Sequence, residues 1–263
     1  MIDWNLGDIL DAIEPAMPKD APALIHGDRI ITWPEMSVRS NNLARNLRER
    51  GAVDGAKVAF YMRNRPEYGE LMAACFKGRL THVNINYRYV PEEVFYIFDD
   101  SDSEVIVYSS EFRDYILELK DRLEKVHTFV EIGDASEIAP FAVPYEHLTT
   151  QGDGSPLGIE RSPGDLLFIY TGGTTGMPKG VMWRHDDMRK AQLDAQKLLG
   201  PVPQSHSPTR HSMPKSCGRR SRNTRSRVSQ SWVTLSPSRC FAPSTNIPAA
   251  GIPAASCRSS RPA

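Results

Sequence analysis

After Asp194 the chain contains no aspartate or glutamate at all. Residues 201–263 carry nine arginines and one lysine, a charge of about +10, whereas residues 1–200 hold 22 basic and 32 acidic side chains. The formal net charge of zero therefore describes neither part. Cysteine is scarce in the same uneven way, with Cys75 alone in the first 200 residues and Cys217, Cys240 and Cys257 beyond. A single thiol excludes a disulfide framework for the first part and points to a reducing compartment. No apolar run approaches the roughly 18 residues that a membrane helix needs. The opening MIDWNLGDILDAIEPA lacks the basic leader and apolar centre of a secretory signal. A cytoplasmic protein with no membrane span is the expectation.

What is present from about residue 57 is an alternation of short β-rich runs with helical patterns. KVAFYMRN (57–64) reads as a strand, and PEYGELMAACFKG as a helix opened by Pro66 and stopped by Gly78. THVNINYRY (81–89) reads as a second strand, followed by a helix that begins at Pro91. EVIVYSS is a third strand. A helix over 111–126 follows, with Phe112, Ile116, Leu119 and Leu123 at three- and four-residue spacings, and then a strand HTFVEI. Such repetition implies an α/β fold, a mostly parallel sheet flanked by helices. A Gly/Pro/Asp-rich connector, residues 149–165, leads into the strand LLFIYT. KGVMWRH then reads as a short strand, and DDMRKAQLDAQKLL as a helix with an acidic first turn and Gly200 at its end.

Beyond Gly200 no helix or strand period is visible. Fourteen serines, nine prolines and nine arginines leave little with which to build a core, so residues 201–263 read as a disordered basic tail. The string GRRSRNTRSR in that tail has only Trp232 and Phe241 as nearby aromatics, and it reads as a solvated segment rather than a nucleic-acid site. Cys217, Cys240, Cys257, His206 and His211 lack the close pairing of zinc ligands.

The segment YTGGTTGMPKG, Tyr170 to Gly180, is the densest chemical signal. A phosphate requires several convergent donors with no side chains in the way. Gly172, Gly173 and Gly176 leave backbone N–H groups free to turn inward. Thr171, Thr174 and Thr175 add hydroxyls, and Lys179 adds a mobile positive charge. The spacing is not that of a Walker loop, because Pro178 precedes the lysine and Gly180 follows it. The plain alternative is a glycine-rich hairpin between two strands.

The full string YTGGTTGMPKGVMWRH resembles the phosphate-binding signature of the adenylate-forming acyl-CoA synthetases, usually [YF]T[SG]GTTGxPKGV. Two further stretches agree in order. ITWPEMSVRSNNLARNLRERG is similar to the family's early T-[YW]-x-E-L segment, and the region around residues 58–107 resembles N-x-x-[YF]-x-x-x-E-L-x-Y-[IL]-x-D-S. The resemblance covers nearly all of residues 3–200 and is nearest in wording to actinobacterial fatty-acyl and steroid-side-chain synthetases. It implies the incomplete N-terminal lobe of a synthetase large domain over residues 1–200. The implied reaction is AMP-forming: a carboxylic acid, ATP with Mg2+, and coenzyme A give an acyl-CoA, AMP and pyrophosphate. Thr171, Gly172, Gly173, Thr174, Thr175, Gly176 and Lys179 would steady the ATP phosphates.

The family's later features should follow Gly200: an acyl pocket, a Y-G-x-T-E glutamate for magnesium, a T-G-D aspartate for ribose, and a C-terminal lysine. None occurs in residues 201–263, which are read as an out-of-frame translation of a GC-rich gene. The expectation is partial ATP phosphate binding by a chain inactive alone. The alternative is a noncatalytic nucleotide-binding or interaction protein. Oligomeric state and the identity of the acid are not legible. His185 is read as a cap or packing residue, Cys75 as a small core residue, and Tyr87, Tyr89, Phe95, Tyr96 and Phe98 as packing aromatics. Arg63, Asn64 and Arg65, after a strand end, are read chiefly as surface charge and capping.

Overall fold

The computed structural model describes residues 5–173 and 176–199. In chain order the elements are α1 (Leu6–Ile13), β1 (Pro22–His26), β2 (Arg29–Thr32), α2 (Trp33–Glu49), β3 (Lys57–Tyr61), α3 (Pro66–Gly78), β4 (Thr81–Asn84), α4 (Pro91–Asp100), β5 (Ser103–Ser109), α5 (Arg113–Leu119), β6 (Thr128–Ile132), β7 (Val143–Pro144), α6 (Tyr145–Thr150), β8 (Leu166–Gly173), β9 (Gly176–Arg184) and α7 (His185–Leu199). β1 and β2 pair as a separate antiparallel hairpin. The main sheet runs β7-β6-β5-β3-β4-β8-β9, and every neighbouring pair in it is parallel except β8 with β9.

The sequence dictates these elements locally. Pro66 and Pro91 stand at the first positions of α3 and α4, where a missing N–H removes no helical bond. α3 ends at the expected Gly78, and the left-handed position that follows is taken by Arg79 at φ 56°. Along β3, Val58 and Phe60 face one side while Ala59 and Tyr61 face the other. The first side packs against Leu43 and Leu47 of α2, Leu71 and Ala74 of α3, and Leu148 of α6. The second packs against Val94 and Phe98 of α4 and Ile116 and Leu119 of α5. The helices before and after β3, α2 and α3, lie on the first face, and the connection passes to the second face after β4, where α4 follows. In such sheets ligand sites form outside the carboxyl ends of the strands.

Two sequence expectations are corrected. The strand expected over 81–89 pairs only as far as Asn84; beyond it the Asn86 carboxamide accepts the Arg88 N–H at 3.0 Å and closes a turn. The helix expected over 111–126 is split into a 3-10 turn (Ser110–Phe112), α5, and a second 3-10 turn (Lys120–Arg122). Tighter winding there still buries Phe112, Ile116, Leu119 and Leu123 on one core, so the apolar spacing is met without a continuous α-helix.

The connector 151–165 is a surface loop, as expected, but it is tied along its length. Asn41 and Asn42 of α2 bond the backbone of Gly154, and Arg45 bonds Ser155. At the end of the loop Arg161 pairs with Asp8 at 2.9 Å and Asp165 with Arg79 at 3.0 Å, which fixes the entry to β8. Cys75 is fully buried in the α3 core and burial pushes its thiol up, so it is a packing residue. All described residues fall in one compact unit, and none of the described helices is long and apolar enough to cross a membrane. The tail, 201–263, lies outside the described residues.

Candidate functional site

β8 and β9 form an antiparallel hairpin that brings the glycine-rich segment to its tip, at the carboxyl end of a strand parallel to β4. Leu166 pairs with Arg184, Phe168 with Met182, Tyr170 with Gly180 and Thr171 with Lys179. The register then shifts, and Gly173 pairs with Gly176. β9 spans three steps from Lys179 to Gly176 where β8 spans two, so β9 bulges at Met177–Pro178. Pro178 suits that place because it has no N–H to give to the ladder. Gly176 has φ +152°, a backbone that side chains rarely adopt.

Directly opposed residues project to the same face with Cβ atoms roughly 5 Å apart. Thr171 and Lys179 are such a pair, and both are exposed. Lys179 makes no ion pair among the described residues, whereas most arginines of the fold are engaged. Gly172 is likewise exposed, with only the Tyr89 hydroxyl near the place a Cβ would take. Of the seven residues singled out in the sequence, Thr171, Gly172, Gly173, Gly176 and Lys179 are thus gathered within one hairpin. Thr174 and Thr175 lie outside the described residues.

Gly180 has a different job from the other glycines. A Cβ there would stand 2.8 Å from the Tyr170 ring, so the ring lies on the β9 backbone. The Tyr170 hydroxyl donates to Asp100 Oδ2 at 2.6 Å. Burial and then that carboxylate push the tyrosine hydroxyl upward from its ordinary value, leaving it a firm donor. Sequence reasoning placed neither Asp100 nor Gly180 in the site. The one available signal was the D-S string in the family-like region, which contains Asp100.

His185 packs, as expected. It is 1 % exposed, its Nδ1 accepts the Leu6 N–H at 3.4 Å, and its ring stands edge-on to Phe76 at 5.0 Å. Burial pushes it down to about 4, and burial pushes His82 down to about 3. Both rings are therefore neutral in the folded state at pH 5, where unfolded histidine is protonated. The unfolded chain binds the extra protons, so stability is full above about pH 6.5 and falls on acidification toward pH 4. The expected loss between pH 7.5 and pH 5 is about 2 kcal/mol for each histidine. Urea midpoints at the two pH values check this; equal midpoints would mean that the rings reach water.

The arginines at the carboxyl end of β3 are already engaged. Arg63 pairs with Glu111 at 2.7 Å and lies over the Tyr87 ring, and Arg65 pairs with Glu67 at 2.7 Å. Tyr87, Tyr89, Phe95, Tyr96 and Phe98 pack on or within the α4–α5 core, as read from the sequence. A cavity of about 360 Å³ opens at the opposite, amino-terminal end of the strands, beside Lys57, Thr81 and Leu166. Its Arg79 is bound to Asp54 and Asp165, so the cavity offers no free charge from that residue. Among the described residues no three His, Cys, Asp or Glu side chains gather as metal ligands. A magnesium ion that arrives with ATP is held mainly by the phosphates and by one or two carboxylates, so no step is assigned through it.

The sequence profile of the AMP-binding enzyme family matches residues 13–217. The chain is 37% identical over 187 residues to a 3-oxocholest-4-en-26-oate--CoA ligase of Rhodococcus rhodochrous, covering 70% of this chain and 34% of that protein. It is 35% identical over 191 residues to a medium/long-chain-fatty-acid--CoA/3-oxocholest-4-en-26-oate--CoA ligase of Mycobacterium marinum, again covering 70% and 34%. Among solved structures, the anthranilate CoA ligase AuaEII with anthranoyl-AMP superposes with a TM-score of 0.68 at 25% identity, over 73% of this chain and 37% of that one. The N-terminal domain of FACL13 from Mycobacterium tuberculosis gives 0.60 at 25% identity, over 70% and 45%. The chain spans about a third of the length of the curated relatives it matches. With its parallel sheet and its glycine hairpin, the chain belongs to the AMP-binding enzyme family and corresponds to the N-terminal part of an acyl-CoA ligase.

Proposed function

We propose that the β8–β9 hairpin holds the polyphosphate of ATP in an AMP-forming acyl-CoA ligase of cytoplasmic lineage, whose acid is a fatty or steroid-derived carboxylate. The carrying observation is the exposed Thr171–Lys179 pair at the mouth of the hairpin, with the Lys179 ammonium in no ion pair among the described residues. Gly172, Gly173 and Gly176 keep the approach clear, and Thr174 and Thr175, which follow Gly173 in sequence, would add hydroxyl donors. In the reaction of the lineage, a carboxylate oxygen bonds to the α-phosphorus as the bond to pyrophosphate breaks. Negative charge then grows on the leaving group, where the Lys179 ammonium and backbone donors would lower the barrier. The coenzyme A thiol next displaces AMP from the acyl-adenylate. The acid class follows the names of the two relatives above.

Residues 1–263 are proposed to bind the phosphates without completing adenylation. It offers no acidic residue after Asp194 to hold a metal or a ribose. Held phosphates without those groups leave most of the barrier in place. The expected result is no ATP–pyrophosphate exchange above background when the purified chain is given palmitate or 3-oxocholest-4-en-26-oate. Robust acid-dependent exchange would overturn this.

Residues 201–263 are proposed to be an out-of-frame translation. Reading the gene in its other two frames from near codon 200 is expected to restore a Y-G-x-T-E segment in one of them. Failure in both frames removes the proposal.

A further inference from the structure

We infer that Asp100, in the last turn of α4, positions the phosphate-holding hairpin through Tyr170, a role that rests on the reading just given. Tyr170 is 5 % exposed and belongs to the core between the sheet and α4. Its hydroxyl reaches Asp100 Oδ2 at 2.6 Å, across 70 residues of sequence. The other carboxylate oxygen accepts the Tyr96 hydroxyl at 3.3 Å, so both oxygens are held. An ionised acceptor makes such a bond shorter and stronger than a neutral one.

The location of Asp100 adds to this. α4 has no basic residue in its last turn, and a carboxylate at a helix carboxyl end opposes the helix dipole. Helix propensity alone would not place an acid there. A partner on another element gives it a reason.

The geometry transmits the grip to the hairpin. Tyr170 opposes Gly180, and the next rung toward the tip is Thr171 with Lys179. The Tyr170 ring is clamped between the carboxylate of α4 and the bare backbone of Gly180. Successive strand residues face opposite sides, so Tyr170 points to α4 while Thr171 points away from it. Asp100 and Tyr170 therefore touch no phosphate. They set the tilt of the rung that would.

The test uses the full chain with Tyr170→Phe, Asp100→Ala and the double variant, measuring ATP affinity by calorimetry and amide exchange by mass spectrometry. Each single change is expected to weaken ATP binding about 5- to 10-fold, and the double change is expected to be no weaker than either single within twofold. Exchange over residues 176–184 should quicken, while β3 and β5 keep their protection. Faster exchange with unchanged ATP affinity would reduce the pair to a structural contact and overturn the inference. So would unchanged exchange, or losses that add. If the unmodified chain binds no ATP yet its hairpin exchange still depends on the pair, the phosphate reading fails and takes the positioning role with it, leaving only the clamp.

Discussion

Replacing Arg39 with methionine is expected to cost about 3–5 kcal/mol of stability, because it strands a carboxylate in the interior. Arg39 on α2 donates from Nε to Glu70 Oε1 at 2.7 Å and from a terminal nitrogen to Glu70 Oε2 at 3.0 Å. The same guanidinium donates to both oxygens of Glu146 on α6 at 2.8 and 2.9 Å. Glu70 on α3 is fully buried, and it also accepts the Tyr145 hydroxyl at 2.9 Å. One guanidinium thus ties α2, α3 and α6 together over the sheet. Without it, two carboxylates face each other and one has no route to water. Urea unfolding followed by circular dichroism at pH 7 measures the loss. Exchanging Glu70 for leucine in the same chain should recover part of it, since the double change removes the stranded charge. A loss below about 1 kcal/mol would mean that water reaches Glu70 and that the pair behaves as a surface bridge.

Legibility in the sequence followed the range of the forces involved. α3 and α4 announce themselves through Pro66 and Pro91, which fix a helix start within one residue. β3, β5 and β6 were visible as short apolar runs between helices. The winding of 110–122 was not, because Leu123 is buried equally well by a 3-10 turn, and apolar spacing alone does not separate the two. The 81–89 run kept its β-type residues, yet Asn86 turns the chain through its own side chain.

The site divides in the same way. The glycines, threonines and Lys179 were legible as types suited to a phosphate. Their pairing was not, since the opposition of Thr171 to Lys179 depends on a bulge at Met177–Pro178. Asp100 was hidden from local reading because its partner lies 70 residues away. Gly180 was legible as a glycine but not as a seat for the Tyr170 ring, which only the folded hairpin supplies.

Lys179→Ala is expected to weaken ATP binding at least 10-fold, the size of one charge-assisted contact of about 1.5–3 kcal/mol. The lysine is exposed and lies on an edge strand, so its removal should leave the unfolding midpoint nearly unchanged. AMP lacks the β- and γ-phosphates, and its affinity should be the same in both proteins. Lys190→Ala, an exposed change on α7, is the control for general loss of positive charge.

Calorimetric titration of the full chain and its Lys179→Ala variant with ATP, and then with AMP, asks most directly whether this hairpin holds a polyphosphate. The account predicts a 10-fold or greater loss for ATP, none for AMP, and none for either ligand in Lys190→Ala. ATP affinities within twofold of each other in the two proteins would contradict it.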